Sequence, residues 1–262
     1  MSTITRPSGS RAPSPTTPTE TTTVPDEERG VMRDVSWEFY DRLSDAIGEH
    51  SHIRVAYDGK DMEIMTLGPK HERSKEWLGE FIREVALGLK IAFEPMGSTT
   101  WKRFKEKSGV ESDLCYYFDQ AKLQVVDENV ESNDVDDYPN PDLAVEVDIS
   151  PSKIDRPKIY ASLKVSEIWR FKKKAIVIEQ LQPNGVYLAA TSSRFLHVRP
   201  DEVTRWLAER KLRRTGDWTP RLREWIQTVL KRRVDANDAR PRPTDRRHDP
   251  SGARAVTRRR KP

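Results

Sequence analysis

Long apolar runs are missing from this chain of 262 residues, of which only 35% are hydrophobic. No window approaches the ~20 apolar residues that a spanning helix needs, which excludes a helical membrane protein. There is one cysteine, Cys115, so neither a disulfide scaffold nor a cysteine-based zinc cluster is available. Arg6 and Arg11 are not followed by an apolar stretch, so no secretory leader is visible, and the expected location is cytoplasmic. The common catalytic signatures are absent too: no phosphate-binding G-x-x-x-x-G-K-[ST], no G-x-G-x-x-G after a strand, no G-x-S-x-G and no H-E-x-x-H. The five histidines are scattered, and only His50 and His52 have a spacing suggestive of metal ligation.

Charge is plentiful: Lys and Arg number 46, Asp and Glu 42. It is unevenly placed. Residues 1–25 hold four Ser, eight Thr and five Pro, a composition that cannot bury enough apolar surface to offset its ordering entropy. Residues 231–262 hold twelve Lys or Arg against four Asp, a net +8 in a chain of net +4, so the preceding body carries about −4. The high isoelectric point belongs to the tail, which reads either as an arm for nucleic acid or another polyanion or as a solubilising tail. The expected organisation is a disordered N-terminus over 1–30, one domain over 31–233 and a disordered basic tail over 234–262.

Within the domain, Ser36 is placed to cap a short helix with Phe39, Tyr40, Leu43 and Ile47 on one face. Asp58-Gly59 between Ile53–Tyr57 and Met62–Met65 predicts a hairpin. Trp77, Leu78, Phe81, Ile82, Val85 and Leu89 predict an amphipathic helix over 71–90. Strand-like runs follow at Ile91–Trp101, Asp113–Phe118 and Leu143–Ile149, with the acidic segment Asp119–Asn140 read as a loop. A helix is expected over Ile154–Leu163, strands at Glu167–Phe171, Ala175–Leu181 and Val186–Ala190, and helices near 201–210 and 220–232, the last with Pro220 at its first position. This order describes an α/β fold, a mixed sheet flanked by helices.

Carboxylates inside strands are the informative anomaly. Asp113 opens one apolar run, and Glu146 sits in the middle of Leu143-Ala144-Val145-Glu146-Val147. A buried strand acid must be paired, protonated or given a metal. Asp142, Glu146 and Asp148 share a face by the period of two, Glu146 and Asp148 ~6.6 Å apart and Asp142 ~13 Å from Glu146, too far for one ion. Asp142 is therefore expected at a strand end facing water. Cys115, alternating on the same kind of strand, reads as a core residue. Two such acids with a basic group nearby hold Mg²⁺ with waters completing its octahedron, an arrangement suited to attack on a phosphodiester.

Several dispersed segments, in order and spacing, resemble the Uma-type family of restriction-endonuclease-like proteins, also called domain of unknown function 820. They are Tyr57-Asp58-Gly59 with Met62–Met65, His71-Glu72-Arg73, Gly97-Ser98-Thr99-Thr100, Glu111-Ser112-Asp113 with Tyr116-Tyr117, Pro141-Asp142-Leu143 with Val145-Glu146-Val147, Ile159-Tyr160-Ala161, Val165, and Glu167-Ile168-Trp169-Arg170. The resemblance spans residues 33–230 and implies a branch of the PD-(D/E)-x-K nucleases. Their core is a helix, a three-stranded meander, a helix and a strand, here with an added N-terminal hairpin and C-terminal helices. On that template Ser112-Asp113 stands for the PD pair, Glu146-Val147-Asp148 for the (D/E)-x-K element, and Glu72 for an auxiliary acid. The resemblance implies that Asp113 and Glu146 bind Mg²⁺ or Mn²⁺ and that the substrate is DNA, with a homodimer possible.

Two positions depart from the pattern. Ser112 replaces the proline, and Asp148 replaces the lysine. The resemblance implies that a lysine four residues before the Tyr of the Tyr-Ala pair serves instead; here that residue is Arg156, which can stabilise charge but cannot act as a base. Lys158 and Lys153 are the nearby alternatives. The expected activity is therefore metal-dependent DNA hydrolysis by Asp113, Glu146, Arg156, Glu72 and Lys158. The alternative is a degenerate member that binds nucleic acid or a partner without cutting, and a lysine restored to the pocket would favour the enzyme.

Overall fold

The computed structural model describes residues 27–48 and 52–238. It contains two sheets with helices on their outer faces. The first sheet is entirely antiparallel, in the order β1(Glu27–Met32), β3(Met62–Leu67), β2(Ile53–Tyr57), β6(Ser108–Glu111), β5(Thr100–Arg103). The second, in the order β11(Tyr187–Ala189), β10(Ala175–Leu181), β9(Glu167–Lys172), β8(Leu143–Asp148), β7(Leu114–Tyr117), β4(Glu94–Gly97), has one parallel pair, β8 with β9. The helix α4(Arg156–Ser162) makes that crossover, as a parallel connection requires.

Local chemistry explains most elements. Ser36 caps α1(Trp37–Ile47) by accepting from the Phe39 N–H at 3.2 Å. Gly59, at a φ of 96°, turns the β2–β3 hairpin. The face of α1 that is buried carries Trp37 and Tyr40; Phe39, expected there, is exposed. The Tyr40 phenol lies against Gly109 of β6, where a Cβ would meet its Oη at 2.0 Å, so only glycine fits.

The second sheet has a core on each face. On one side Leu143, Val145 and Val147 pack against α2(Pro69–Leu89) and the C-terminal helices α5(Pro200–Leu212) and α6(Thr215–Trp225). On the other, Cys115, Tyr117, Ala144 and Ile168 meet Ala56, Trp101 and Val110 of the first sheet and Ile159 and Tyr160 of α4. By alternation, Glu146 and Asp148 point to this second side, between the sheets. The Cys115 thiol is buried there, and burial pushes its pKa up to about 11, in keeping with a core role.

The structure corrects several expectations. Ile91–Trp101 is not one strand but β4 and β5 in different sheets, separated at Gly97, whose φ of 60° breaks the extended run. The acidic segment read as a loop contains α3(Gln120–Glu128), capped by Asp119, and a short 3₁₀ turn at Val135–Asp137. Strand β6 was missed because Ser108-Gly109 lacks strand propensity. Pro220 lies inside α6 rather than at its start. It is tolerated because the carbonyl it leaves unpaired belongs to Gly216, an exposed residue of the first turn. Residues 226–230 then pass through a π-helical stretch into α7(Lys231–Asp238). Glu27–Gly30, placed in the N-terminal segment by the expected 1–30 boundary, belong to β1. The helix at the other end extends past 233. The rest of both ends, and the His50 side of the His50/His52 pair, lie outside the described residues.

Candidate active site

Asp113 and Glu146 are brought together at the end of the β7–β8 ladder. The Asp113 N–H donates to the Val145 carbonyl at 3.2 Å, and the Asp113 Oδ2 accepts from the Val147 N–H at 2.7 Å. Asp113 therefore holds the backbone on both sides of Glu146, its own side chain serving where a ladder carbonyl would. His71 Nε2, at the start of α2, lies 3.1 Å from the same Oδ2. Burial by itself would raise the Asp113 pKa; the hydrogen bond and charge of His71 and the Val147 N–H outweigh it and hold the carboxyl below the usual range. For His71, burial works downward, and the partnership with Asp113 raises its pKa instead.

Glu146 is the opposite case. Its Oε1 accepts from the Tyr160 hydroxyl and lies 2.9 Å from Arg156 Nη2. Burial nevertheless pushes its pKa up to about 8: Arg156 counters this, and the neighbouring Asp113 and Asp148 add to it. Asp148 is raised for the same first reason, desolvation, partly offset by Arg156 and Arg29. Arg156 also donates to the Glu111 carbonyl at 3.1 Å, while its buried Nε has no hydrogen-bond partner.

A second guanidinium completes the cluster from β1. Arg29, its side chain 2% exposed, reaches Glu27 at 2.6 Å, Glu63 at 2.5 Å and Asp148 at 3.3 Å. Glu63 also accepts from Ser152 Oγ at 2.6 Å and the Lys153 N–H at 2.8 Å; these and Arg29 overcome the upward push of burial and lower its pKa. Five buried carboxylates, Glu27, Glu63, Asp113, Glu146 and Asp148, thus face the two guanidiniums of Arg29 and Arg156 and one histidine. Negative charge is in excess. Among the described residues no three His, Cys, Asp or Glu side chains form a ready metal cage. Asp113 Oδ1 and Glu146 Oε2, the oxygens not held by these contacts, suit an ion that keeps most of its waters, as Mg²⁺ does.

A cavity of about 290 Å³ opens beside these groups, lined by Glu146, Asp148, Arg156, Arg170 and Lys172 among others. Lys172 follows from the parallel register, which pairs it with Asp148, and its Nζ lies 3.9 Å from Asp148 Oδ2. A larger but shallow surface depression around Gln180, Ser193 and His197 lies apart from these acids.

The other expected site residues fall differently. Glu72 is half-exposed; it pairs with Lys75 at 2.8 Å and lies 3.5 Å from His71 Nδ1, so it borders His71 rather than the paired acids. Lys158 is exposed, and its backbone N–H is taken by the helix cap Asp155. Lys153 sends its Nζ to the Arg29 carbonyl at 2.6 Å. Asp142, expected to face water, is buried: it accepts from the Phe118 and Asp119 N–H groups at 2.8 Å each and pairs with Lys122, fixing the end of β7. His71, Tyr160, Glu63, Arg29 and Lys172 carried no assigned role from sequence. Glu63 had a usable signal, an acid amid an apolar run like Glu146. Arg29 had none.

An α/β domain with a helix, a meander, a crossover helix and a strand, and with an acid from each of two adjacent strands meeting near a basic helix residue, has a restriction-endonuclease-like fold. The chain belongs to the Uma2 family, described as "Putative restriction endonuclease", which it matches over residues 37–209. No curated protein matches it. No helix among the described residues is long and apolar enough to cross a membrane.

Proposed function

We propose that this protein is an endonuclease that hydrolyses DNA phosphodiester bonds with the help of Mg²⁺ or Mn²⁺, at the site built by Asp113 and Glu146. The observation that carries the reading is the meeting of two buried carboxylates from adjacent strands in a cluster with too few cations to neutralise it. When bound, the metal would polarise the phosphodiester and acidify a water. The chain's own residues supply the rest. His71 and the Val147 N–H keep Asp113 ionised and fixed, ready to hold a cation. Tyr160 and Arg156 fix Glu146, whose high proton affinity is satisfied by a proton until a cation replaces it. Arg156, which cannot accept a proton, holds Glu146 in place and is not the base. The basic tail adds non-specific affinity for the DNA backbone.

One observation favours the second reading, a member that binds without cutting. Arg156 and Arg29 already place positive charge against Glu146 and Asp148, reducing the need for a bound cation. Plasmid cleavage with Mg²⁺ or Mn²⁺, comparing the wild type with Asp113→Ala, separates the two. Metal-dependent nicking lost in the variant supports the enzyme; DNA binding without nicking supports the binder.

A further inference from the structure

The strand motif places Asp148 where a lysine is expected, and no other cation on β8 replaces it. The next strand does. Because β8 and β9 run parallel in register, Glu146 stands against Arg170 and Asp148 against Lys172. Arg170 is committed to Glu179, which it meets with both Nε and Nη2. Lys172 is not committed in this way. Its Nζ is 3.9 Å from Asp148, beyond hydrogen-bonding distance, its side chain is 38% exposed, and it lines the same cavity as Glu146 and Arg156. The hairpin that follows keeps it there. Lys173 and Lys174 occupy left-handed positions at φ 47° and 70°, a two-residue turn usually made by Asn and Gly. Lys173, the first residue of that strained turn, lines the same cavity beside Lys172.

We propose that Lys172 is the phosphate-facing cation of this site, delivered from β9 in place of the lysine that Asp148 displaces from β8. The inference rests on the nuclease reading above for its substrate, and it names which side chain meets the phosphodiester. Arg156 is buried in its bond to Glu146, and Lys158 and Lys153 face elsewhere or are engaged. Lys172 alone among these four combines partial exposure with a position inside the acid-lined cavity.

The test uses the full chain as wild type, Lys172→Ala, Lys172→Arg, Asp113→Ala, and Lys211→Ala as an exposed control on α5. Cleavage is read with Mg²⁺, and binding of a fluorescent DNA duplex is read with Ca²⁺ across a salt series. Lys172→Ala is expected to lose about 10²–10³-fold in kcat with little change in KM. Its binding should show a salt slope smaller by about one. Lys211→Ala should not lose cleavage. Lys172→Arg, which keeps a positive charge at the same position on β9, should recover much of the cleavage lost by Lys172→Ala. If Asp113→Ala abolishes cleavage and Lys172→Ala matches wild type in both readouts, Lys172 has no such role although the nuclease reading stands. If wild type cuts nothing, the nuclease reading fails, and the salt slope still decides: unchanged in Lys172→Ala, it overturns the phosphate contact; reduced, it supports it.

Discussion

Arg156 Nη2 lies 2.9 Å from Glu146 Oε1, joining the first residue of the crossover helix to the middle of a fully buried strand. Both side chains are almost fully buried, so the pair is a means of tolerating a charge between the sheets rather than a surface ornament. Removing one partner of such a pair costs more than the pair contributes, because the other is left uncompensated. Above pH 8, where Glu146 is ionised, Arg156→Ala should therefore lower unfolding stability by about 3–5 kcal/mol in a urea titration. Arg156→Lys, which keeps the charge, should lose less. Equal stability of Arg156→Ala and wild type would show that Glu146 is neutralised in another way.

The raised pKa of Glu146 sets a pH dependence with a definite sign. The folded protein binds this proton more tightly than the unfolded chain does. Its contribution to stability is thus complete in mildly acidic solution and is lost as pH rises through about 8. Without metal, the melting temperature should fall across that interval, and Glu146→Gln, which cannot ionise, should flatten the fall. Thermal melts in EDTA at several pH values measure it. A melting temperature rising over the same interval in wild type alone would contradict the assignment.

Millimolar Mg²⁺ should raise the melting temperature by mass action, as any ligand selective for the folded state does. The gain should vanish in Asp113→Ala and in Glu146→Ala. Because metal replaces the Glu146 proton, the gain should also shrink as pH falls below about 8. Calorimetry in two buffers of different ionisation enthalpy would register the released proton. Identical Mg²⁺ responses in wild type and both variants would remove the metal from this site.

Strand β1 should be required for the site although it lies outside the family-matched span. Arg29 is the cation shared by Glu27, Glu63 and Asp148. A chain beginning at Glu27 should unfold cooperatively at nearly the full-length temperature. One beginning at Arg33, and likewise Arg29→Ala, should be destabilised by about 3–5 kcal/mol, the cost of breaking a buried ionic network. Circular dichroism melts distinguish the two truncations.

What the sequence determined by itself was everything set by local rules. Ser36 capping a helix, Asp58-Gly59 closing a hairpin and the apolar spacing from Trp77 to Leu89 each act within one or two turns of chain. Glu146 was legible because an acid amid Val and Ala breaks the pattern of its own strand. The Gly97 break, β6 and α3 were not, since short segments take their state from the neighbours that bury them. The departures at Asp148 and Arg156 were visible as letters, but not what answers them. Only the tertiary structure decided that. His71 meets Asp113 across 42 positions and Arg29 meets Asp148 across 119, separations at which no periodicity carries information. Lys172 is 24 positions from Asp148 and reaches it through a parallel register that the crossover helix, not either strand, sets. Side-chain identity fixed which charges had to be buried, and chain topology fixed which of them meet.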